Sequence, residues 1–455
     1  MPLKIYSSNR MENLVEALAG VVREPLSSPF TPEVIVVQSK GLQRWLAMEL
    51  SRRFGVWANG DFPFPNSMVW RLFQAVLPEL PDTSPFSPEI MTWRIAGMLP
   101  GFLEREEFSR LKHYLAGDRD GLKLFQLSEK IADSFDQYTL FRPGMIQQWE
   151  EGSDGDWQEI LWRELAYTGE WRHRARIKEE FHRKIKDLPV PIAGIPERIS
   201  LFGISSLPAY HVEVLAAISH FTEVNLFLLS PTIEYWADIV STREQAFRKP
   251  EERALLSEGN PLLASLGKLG RDFSDMMVEC GELAVGNLDL YVDSDGGSLL
   301  KAIQSDILNL RGTEEGRGRL EITEHDKSIQ VHSCHSPMRE MEVLFDSILS
   351  MLDEVPGLNP RDILVMTPDI EMYAPYISAV FEGCQDPARR IPFSIADRSL
   401  AKEGRIAPVL LKLLGLPGSR VTVVQVLDIL ESPSVRQRFE LDSEELERIR
   451  SWLEE

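Results

Sequence analysis

The chain has 455 residues, of which 43% are hydrophobic and 26% are charged, a balance that excludes a mostly disordered protein. Its 49 Lys and Arg against 70 Asp and Glu give a formal net charge of −21, which disfavours indiscriminate binding to phosphate backbones or anionic lipid. Contact with nucleic acid is therefore expected only locally, in a groove whose charge differs from that of the average surface.

The N-terminal residues alternate between strand and helix patterns. Residues 3–6 form a short apolar run, after which Leu14 and Leu18 begin a helical repeat of apolar side chains. The β-branched run at 34–37 predicts a strand buried on both faces, and residues 42–54 predict a second helix. This order predicts an α/β fold with a parallel sheet and covering helices.

The central part is predicted to be an insertion in that lobe. Residues 87–188 are almost wholly helical in pattern, because apolar side chains recur at spacings of three or four. Strand and helix patterns alternate again between residues 199 and 229. We therefore predict that residues 1–86 and 189–312 form one discontinuous α/β lobe, with 87–188 as a helical insertion.

The C-terminal part is predicted to hold a second α/β lobe. Polar, glycine-bearing residues 313–327 are typical of a linker, residues 328–405 alternate again, and residues 406–455 begin a helical domain. Within the second lobe the pattern predicts strands and helices in turn, at 329–332, 338–352, 363–366, 374–381 and 393–395.

Cysteine usage and hydropathy indicate the compartment. The sequence has three cysteines, Cys280, Cys334 and Cys384, and neither a CxxC motif nor a Cys/His metal-binding spacing. The start of the chain lacks the apolar core of a signal peptide, and no apolar run approaches the length of about 18 residues that a membrane helix needs. We expect a cytoplasmic protein with no membrane segment and no metal site.

Two α/β lobes with a helical insertion are typical of a helicase motor, yet the chemistry of a motor is missing. A phosphate-binding loop needs GxxxxGK[ST] between a strand and a helix, whereas the first strand runs into residues 7–10, SSNR. Lys268 in SLGKLG is the nearest alternative, but Leu262 replaces the first glycine and Leu269 replaces Ser or Thr. The predicted strand at 199–202 is followed by no carboxylate that could hold magnesium. We therefore predict no catalytic centre.

Three weaker candidates for catalytic or metal-binding chemistry are better explained structurally. In HSCH at 332–335, neighbours on a strand would point to opposite faces. DSDGG at 293–297 lacks the later ligands of a calcium loop. No segment convincingly supplies the carboxylate cluster and lysine that a nuclease requires.

Several long segments resemble a known family. They include YSSNRMENLVEAL, VQSKGLQRWLAMELSRRFGVWANGDFPFP, LFQLSEKIADSFDQYTLFRP, LFGISSLP, GNPLLASLGKLGRD, IQSDIL and VHSCHSPMREMEVLFDSILSML. The chain resembles the RecC family, the gamma subunits of exodeoxyribonuclease V, in colinear order from Met1 to Glu455. Members of that family are much longer, so an N-terminal portion is expected.

The resemblance implies a superfamily 1 helicase fold with two RecA-like lobes that lack the nucleotide site. It implies a scaffold for a RecB-like helicase–nuclease subunit and a RecD-like helicase subunit, which use the ATP and magnesium, with no cofactor in this chain. It also implies channels for separated DNA strands, one of which scans the 3′-ended strand for the hotspot Chi.

The resemblance further implies a set of residues that read this strand, namely Gln38, Lys40, Arg44, Phe64, Trp70, Asp133, Ser134, Asp136 and Arg142. Lys40 and Arg44 are cationic where well-known members carry uncharged polar residues, and Phe64 and Ser134 also depart from the family pattern. Aromatic faces can stack on bases, while amide, carboxylate and guanidinium groups can bind base edges or phosphates. The alternative is that Trp70 belongs to the core and that the two aspartates form a solvated helix face.

A local excess of positive charge supports a DNA path independently of the resemblance. In a chain of net charge −21, one segment carries seven cations against Glu179 and Glu180, namely Arg172, Arg174, Arg176, Lys178, Arg183, Lys184 and Lys186. We predict phosphate contacts here, although a solvated helix face would give the same pattern.

Three functions follow from these patterns. The leading hypothesis is a non-catalytic, helicase-like DNA-handling subunit in double-strand break repair and homologous recombination. The alternatives are an active ATP-dependent translocase or nuclease with divergent motifs, and an interaction scaffold without a DNA channel.

Overall fold

A computed structural model describes residues 3–152, 155–168, 172–188, 192–241, 244, 259–279, 288–294, 297–312, 321, 323–384, 386–396 and 406–454. The chain forms two compact units, Met1–Ser328 and Ile329–Glu455. Among the helices of these described ranges, none combines the length and apolar composition needed to cross a bilayer.

The first unit is built on one parallel sheet. Its described strands pair in the order β3-β2-β4-β5-β1-β6, and all five pairings are parallel. The strands are β1 Lys4–Ser8, β2 Glu33–Val36, β3 Gly60–Asp61, β4 Arg198–Phe202, β5 Glu223–Leu229 and β6 Leu288–Asp289. The predicted α/β class with a parallel sheet is thus confirmed for this unit.

Helices cover the sheet and fill the long connection between β3 and β4. In the first unit they are α1 Met11–Val22, α2 Lys40–Phe54, α3 Pro65–Val76, α4 Pro88–Met98, α5 Ser109–Leu115, α6 Leu122–Phe141, α7 Pro143–Glu151, α8 Trp157–Thr168, α9 Arg174–Lys184, α10 Ala209–Ile218, α11 Pro261–Leu266, α12 Lys268–Glu279 and α13 Leu299–Leu308. In the second unit they are α14 Pro337–Glu354, α15 Ile370–Phe381, α16 Ala407–Leu414, α17 Val423–Leu430, α18 Pro433–Phe439 and α19 Ser443–Glu454.

Apolar side chains explain both faces of the sheet. All four residues of β2 are buried, as expected for a strand covered by helices on both sides. On one face, Leu14 and Leu18 of α1 pack with Phe227 of β5. On the other, Phe73 of α3 and Phe181 of α9 pack over the strands with their ring centroids 5.1 Å apart.

The helices between β3 and β4 have an apolar core of their own. Phe135 of α6 and Trp162 of α8 are almost completely buried and meet edge to face, with ring centroids 5.3 Å apart. Met91 and Ile95 of α4 belong to the same cluster. We call α4 to α8 the helical insertion. The domain boundaries given above remain predictions.

The second unit departs from its predicted pattern. The helices expected at 338–352 and 374–381 form, as α14 and α15, and Phe345 and Phe381 pack edge to face between them. The strands expected at 329–332, 363–366 and 393–395 do not form within the described part of the chain. A strand requires a ladder partner, which these segments lack within the described part of the chain, and Val331 is 91% exposed.

Candidate nucleic-acid interface

The carboxyl end of β2 presents the first group of predicted DNA-reading residues. Gln38 is exposed, and its Nε2 donates to the Ser206 carbonyl oxygen at 3.0 Å, in the loop after β4. Ser39 begins α2 by accepting from the Leu42 backbone N–H through its Oγ at 3.1 Å. Lys40 and Arg44 follow on the first turns of α2, both exposed. Two cations therefore stand at this edge of the sheet.

The segment after β3 carries the two predicted aromatic residues, of which Phe64 lies at the same edge and Trp70 lies within α3. Phe64, which is 42% exposed, directly precedes α3. The Val37 backbone N–H donates to the Pro63 carbonyl oxygen at 3.1 Å, which ties this segment to the end of β2. Trp70 is half-buried. Its Nε1 donates to the Pro81 carbonyl oxygen at 3.2 Å, and its ring meets Phe73 edge to face.

A buried polar contact near Phe64 joins helices α3 and α10. His211 Nε2 lies 2.8 Å from Asn66 Oδ1, and the histidine is 3% exposed. Burial, and secondarily the nearby Arg174, lower the pKa of His211 to about 4. The imidazole is therefore neutral near pH 7, so that Nε2 carries the proton donated to Asn66.

A cavity of about 410 Å³ opens beside this contact. Its walls include Trp70, Gln74, Asp82, Arg174 and Tyr210. Burial raises the pKa of Tyr210, which keeps its phenol protonated. With Arg71 also in its lining, the cavity combines aromatic walls with two guanidiniums and one carboxylate.

Helix α6 carries the acidic candidates, and one of them contacts Arg174 in the lining of this cavity. Asp136 Oδ1 lies 3.2 Å from Arg174 Nη1 as an ion pair that does not align as a hydrogen bond. Burial raises the pKa of Asp136 despite this cation. The exposed Asp133 accepts from Gln137 Nε2 at 3.3 Å, within its own helix.

The other two candidates on α6 lie apart from the cavity lining. Ser134 Oγ donates to the Lys130 carbonyl oxygen at 2.9 Å. Arg142 is exposed at the junction of α6 and α7, where its guanidinium lies 6.0 Å from the centroid of the Tyr138 ring. Both belong to the insertion rather than to the sheet.

Five of the seven predicted phosphate-binding cations are engaged with acceptors of the chain itself. The pairs are Arg172 with the Glu79 carbonyl oxygen, Arg174 with Asp136, Arg176 with Glu150, Lys178 with Glu213, and Lys184 with Glu79. Arg183 and Lys186 are exposed, and neither has an ion-pair partner in the described part of the chain. Trp171, which opens this segment, lies outside the described residues.

The turn after β1, where a motor would grip phosphate, is covered by the chain itself. Asn9 binds both backbone groups of Val292, with Nδ2 donating to the carbonyl oxygen at 2.9 Å and Oδ1 accepting from the N–H at 3.1 Å. Ser8 Oγ and Asn13 Nδ2 both donate to the Leu290 carbonyl oxygen, at 2.8 and 2.9 Å. We call residues 290–292 the strap.

The glycines around Lys268 have a packing role. A Cβ atom at Gly267 would lie 2.7 Å from Trp236 Cζ3, and one at Gly270 would lie 3.0 Å from Trp236 Cη2. The GKLG sequence thus lets an indole ring approach the helix backbone. Among the residues that the structure describes, no group of three or more His, Cys, Asp or Glu could hold a metal ion.

The structure also describes part of the two other candidate segments, HSCH at 332–335 and DSDGG at 293–297. Residues 332–335 lie in the irregular segment before α14 and form no strand. Asp293 Oδ2 accepts from Asn309 Nδ2 at 3.0 Å and so fixes the loop before α13. Residues 295 and 296 of the DSDGG segment lie outside the described ranges.

Comparison with known families decides the assignment. A family model described as RecC, N-terminal domain, matches residues 3–310, and one described as RecBCD enzyme subunit RecC fourth domain matches residues 403–455. The chain belongs to the RecC family. The family resemblance read from the sequence is therefore confirmed.

Individual RecC relatives match along the whole chain. The RecBCD enzyme subunit RecC of Escherichia coli K12 is 39% identical over 100% of this chain and 44% of its own length. The corresponding proteins of Haemophilus influenzae and Mycolicibacterium smegmatis are 34% and 33% identical, over 99% and 100% of this chain. This RecC-family chain spans less than half the length of these relatives.

Proposed function

We propose that this RecC-family chain is a non-catalytic, DNA-handling part of a RecBCD-type exodeoxyribonuclease V. It scaffolds a RecB-like helicase–nuclease subunit and a RecD-like helicase subunit, which supply ATP and magnesium chemistry. It guides separated single strands and scans the 3′-ended strand for a Chi-like hotspot in double-strand break repair and homologous recombination. The name of its relatives, RecBCD enzyme subunit RecC, supports this complex.

One observation carries the DNA-handling role: the candidate residues follow one connected path over the first unit. Gln38 contacts the loop after β4, which leads into α10. The His211–Asn66 contact joins α10 to the start of α3, beside Phe64. Trp70 and Arg174 then line one cavity, and Arg174 pairs with Asp136. These contacts connect side chains that are far apart in the sequence, which supports the proposal that an unpaired strand lies along them.

The chemistry of this surface suits single-stranded DNA. Phe64 and the free face of Trp70 offer stacking surfaces that accept any base. Arg174 is held in place by a carboxylate, which prepares its remaining N–H groups for base acceptors or phosphate. Lys40 and Arg44 add positive charge at the sheet edge, where the backbone of a strand would be attracted.

The strap supports a role without nucleotide hydrolysis. In open α/β sheets, ligands bind at the carboxyl ends of the strands, often beside a change in strand order. Here residues 290–292 follow β6 alongside the end of β1 and bind Ser8, Asn9 and Asn13. The same hydrogen-bonding groups are therefore unavailable to a phosphate.

We also propose that residues 328–405 form a second RecA-like lobe. The helices α14 and α15 alternate with the three segments predicted as strands, an order that supports such a lobe. We place the protein in the cytoplasm, where unpaired thiols such as Cys334 and Cys384 are normal.

Photocrosslinking tests the DNA path. A photoreactive phenylalanine analogue replaces Phe64 at the carboxyl edge of the sheet or, as the matched control, Phe30, which is 89% exposed and precedes β2 at the amino edge. Single-stranded DNA is expected to be captured from position 64 and not from position 30. Equal capture at both positions, or none at either, would favour a scaffold without a DNA channel.

The enzymatic alternative has a separate test. ATP turnover by the purified chain is measured with and without single-stranded DNA, beside a Lys268→Ala variant. We expect background turnover in both proteins. Turnover that the Lys268→Ala change abolishes would instead assign this chain a working nucleotide site.

A further inference from the structure

Helix α9 connects the two apolar cores of the first unit. Ile177 and Phe181 are buried in the core over the sheet. His173, immediately before the helix, is fully buried and packs edge-on against Phe86 and Trp162 of the insertion core, with ring centroids 5.7 and 5.3 Å away. Any displacement of α9 therefore moves the insertion relative to the sheet.

A buried carboxylate of the insertion holds this connecting helix. Glu150 lies on α7, and its side chain is only 1% exposed. Its Oε1 lies 2.5 Å from His173 Nε2, and its Oε2 lies 2.6 Å from Arg176 Nε. Trp162 Nε1 also donates to Oε1, at 3.4 Å. One carboxylate thus contacts α8, the residue before α9, and α9 itself.

The energetics of this cluster favour a positioning role over a gain in stability. Burial alone would raise the pKa of Glu150, but His173 and Arg176 outweigh it and lower that pKa. The carboxylate is thus charged in the folded protein. Apolar replacement of a buried ionic cluster is often neutral or stabilising, so such clusters are poor explanations of stability and better ones of fixed geometry.

The other ionic contacts of α9 have more exposed carboxylates than Glu150. The Arg174–Asp136 pair to α6 has side chains 18% and 20% exposed. Lys178 pairs with Glu213 of α10, whose side chain is 48% exposed, and Lys184 pairs with Glu79, which is 40% exposed. Salt screens such pairs, and each contributes little. The carboxylate of Glu150 is the most shielded among them.

We propose that the buried Glu150 carboxylate, in contact with His173 and ion-paired with Arg176, forms a latch that fixes the helical insertion on the sheet. Resting on the proposed function, this inference makes them positioning residues for DNA. Asp133 and Ser134 lie on the insertion, whereas Gln38 and Phe64 lie at the sheet edge. The latch sets the spacing between these two halves of the reading surface.

Distance measurement between the two halves tests the latch. Spin labels are attached to cysteines placed at Gln43 on α2 and Glu129 on α6, both exposed, in a chain whose three native cysteines are replaced by serine. The native sequence and Glu151→Gln, a change of the exposed neighbouring carboxylate, are expected to give one narrow distance distribution, in 0.1 M and in 1 M salt. Glu150→Gln is expected to broaden it while leaving helix content unchanged.

A second variant and a DNA crosslink test the latch independently of the first variant. If Glu150→Gln fails to fold, Arg176→Gln removes the partly exposed partner instead, and the same broadening is expected. Crosslinking to single-stranded DNA from a photoreactive residue at position 134 is expected to be lost in the latch variants, while crosslinking from position 64 persists. Unchanged distance distributions in both variants would overturn the latch, and since these need no DNA, they are readable even if the chain binds none.

Discussion

Arg198 and Glu33 form a two-point ion pair that is buried at the amino end of the sheet. Arg198 Nε donates to Glu33 Oε1 at 2.8 Å and Nη2 donates to Oε2 at 2.7 Å. The guanidinium also donates to the carbonyl oxygens of Val21 and Glu24, at the end of α1. A single side chain thus ties β4 to β2 and to the first helix.

Breaking this pair is expected to destabilise the first unit strongly. Glu33→Gln leaves the guanidinium buried without its countercharge, which typically costs about 3–5 kcal/mol. The exposed pair of Lys112 and Glu104 is the control, since Lys112→Gln is expected to cost less than about 1 kcal/mol. Urea unfolding curves of the two variants compare these costs. Equal midpoints would show that the buried pair holds the sheet no better than a surface pair.

Acid is expected to destabilise the fold through His211. The unfolded chain takes up a proton near pH 6.5, whereas the buried imidazole resists protonation until about pH 4. The free energy of unfolding therefore falls as pH drops from 6.5 to 4, by about 3 kcal/mol in total. Thermal melting of His211→Gln between these pH values is expected to depend less on pH. Replacement of the exposed His220 by Gln serves as the control and should keep the native slope.

Asp136 is expected to make the fold less stable as the pH rises, which is the opposite of the effect of His211. Burial raises its pKa above the ordinary value of 3.8, so the folded chain holds this proton more tightly than the unfolded chain does. The free energy of unfolding therefore falls as pH rises through that range, and Asp136→Asn removes this fall. Relative to the native chain, the variant should gain stability as pH increases from about 3.8. A stability difference that is independent of pH would contradict the assignment.

The same substitution is expected to impair DNA binding while sparing the fold. Asn at position 136 leaves Arg174 without its countercharge, so the guanidinium is no longer held at the cavity wall. Crosslinking from position 64 should weaken in Asp136→Asn and stay unchanged in Glu129→Gln, which alters an exposed carboxylate of the same helix outside the reading set. A residue that costs stability and supports binding is the usual sign of a functional position.

The strap is expected to loosen in steps when Asn9 is changed. Asn9→Ala removes two hydrogen bonds, each contributing about 1 kcal/mol, and Asn9→Asp keeps the acceptor while losing the donor. Amide exchange at Val292 should therefore be fastest in the Ala variant and intermediate in the Asp variant. Equal exchange in all three proteins would mean that other contacts hold the strap.

Local sequence patterns predicted those helices and strands whose own residues show a clear apolar pattern. The β-branched run at 34–37 overlaps β2, Glu33–Val36, because such a run is favourable only in a strand that is buried on both faces. By contrast, β3 and β6 contain two residues each, and nothing in Gly60–Asp61 or Leu288–Asp289 marks them as strands. The same preference for extended backbone overpredicted strands around Val331, because pairing needs a partner that local sequence does not specify.

The candidate site, too, was only partly predictable from the sequence. Its residue types could be named from the sequence, but the contacts that organise them join distant segments, such as Asn66 and His211, 145 positions apart. No periodic or spacing signal marks Glu150 as the partner of His173. The basic segment was visible, whereas the commitment of five of its cations to internal acceptors depends on how α9 packs.

The sheet order has a consequence for synthesis on the ribosome. β1 lies between β5 and β6, and its Lys4 pairs with Asn225. At typical elongation rates, the first strand is made on the order of 10 to 40 seconds before its partner. Throughout that interval α1 can cover its apolar side chains, but its backbone groups lack the neighbouring strand, so β1 is expected to stay unpaired until β5 emerges.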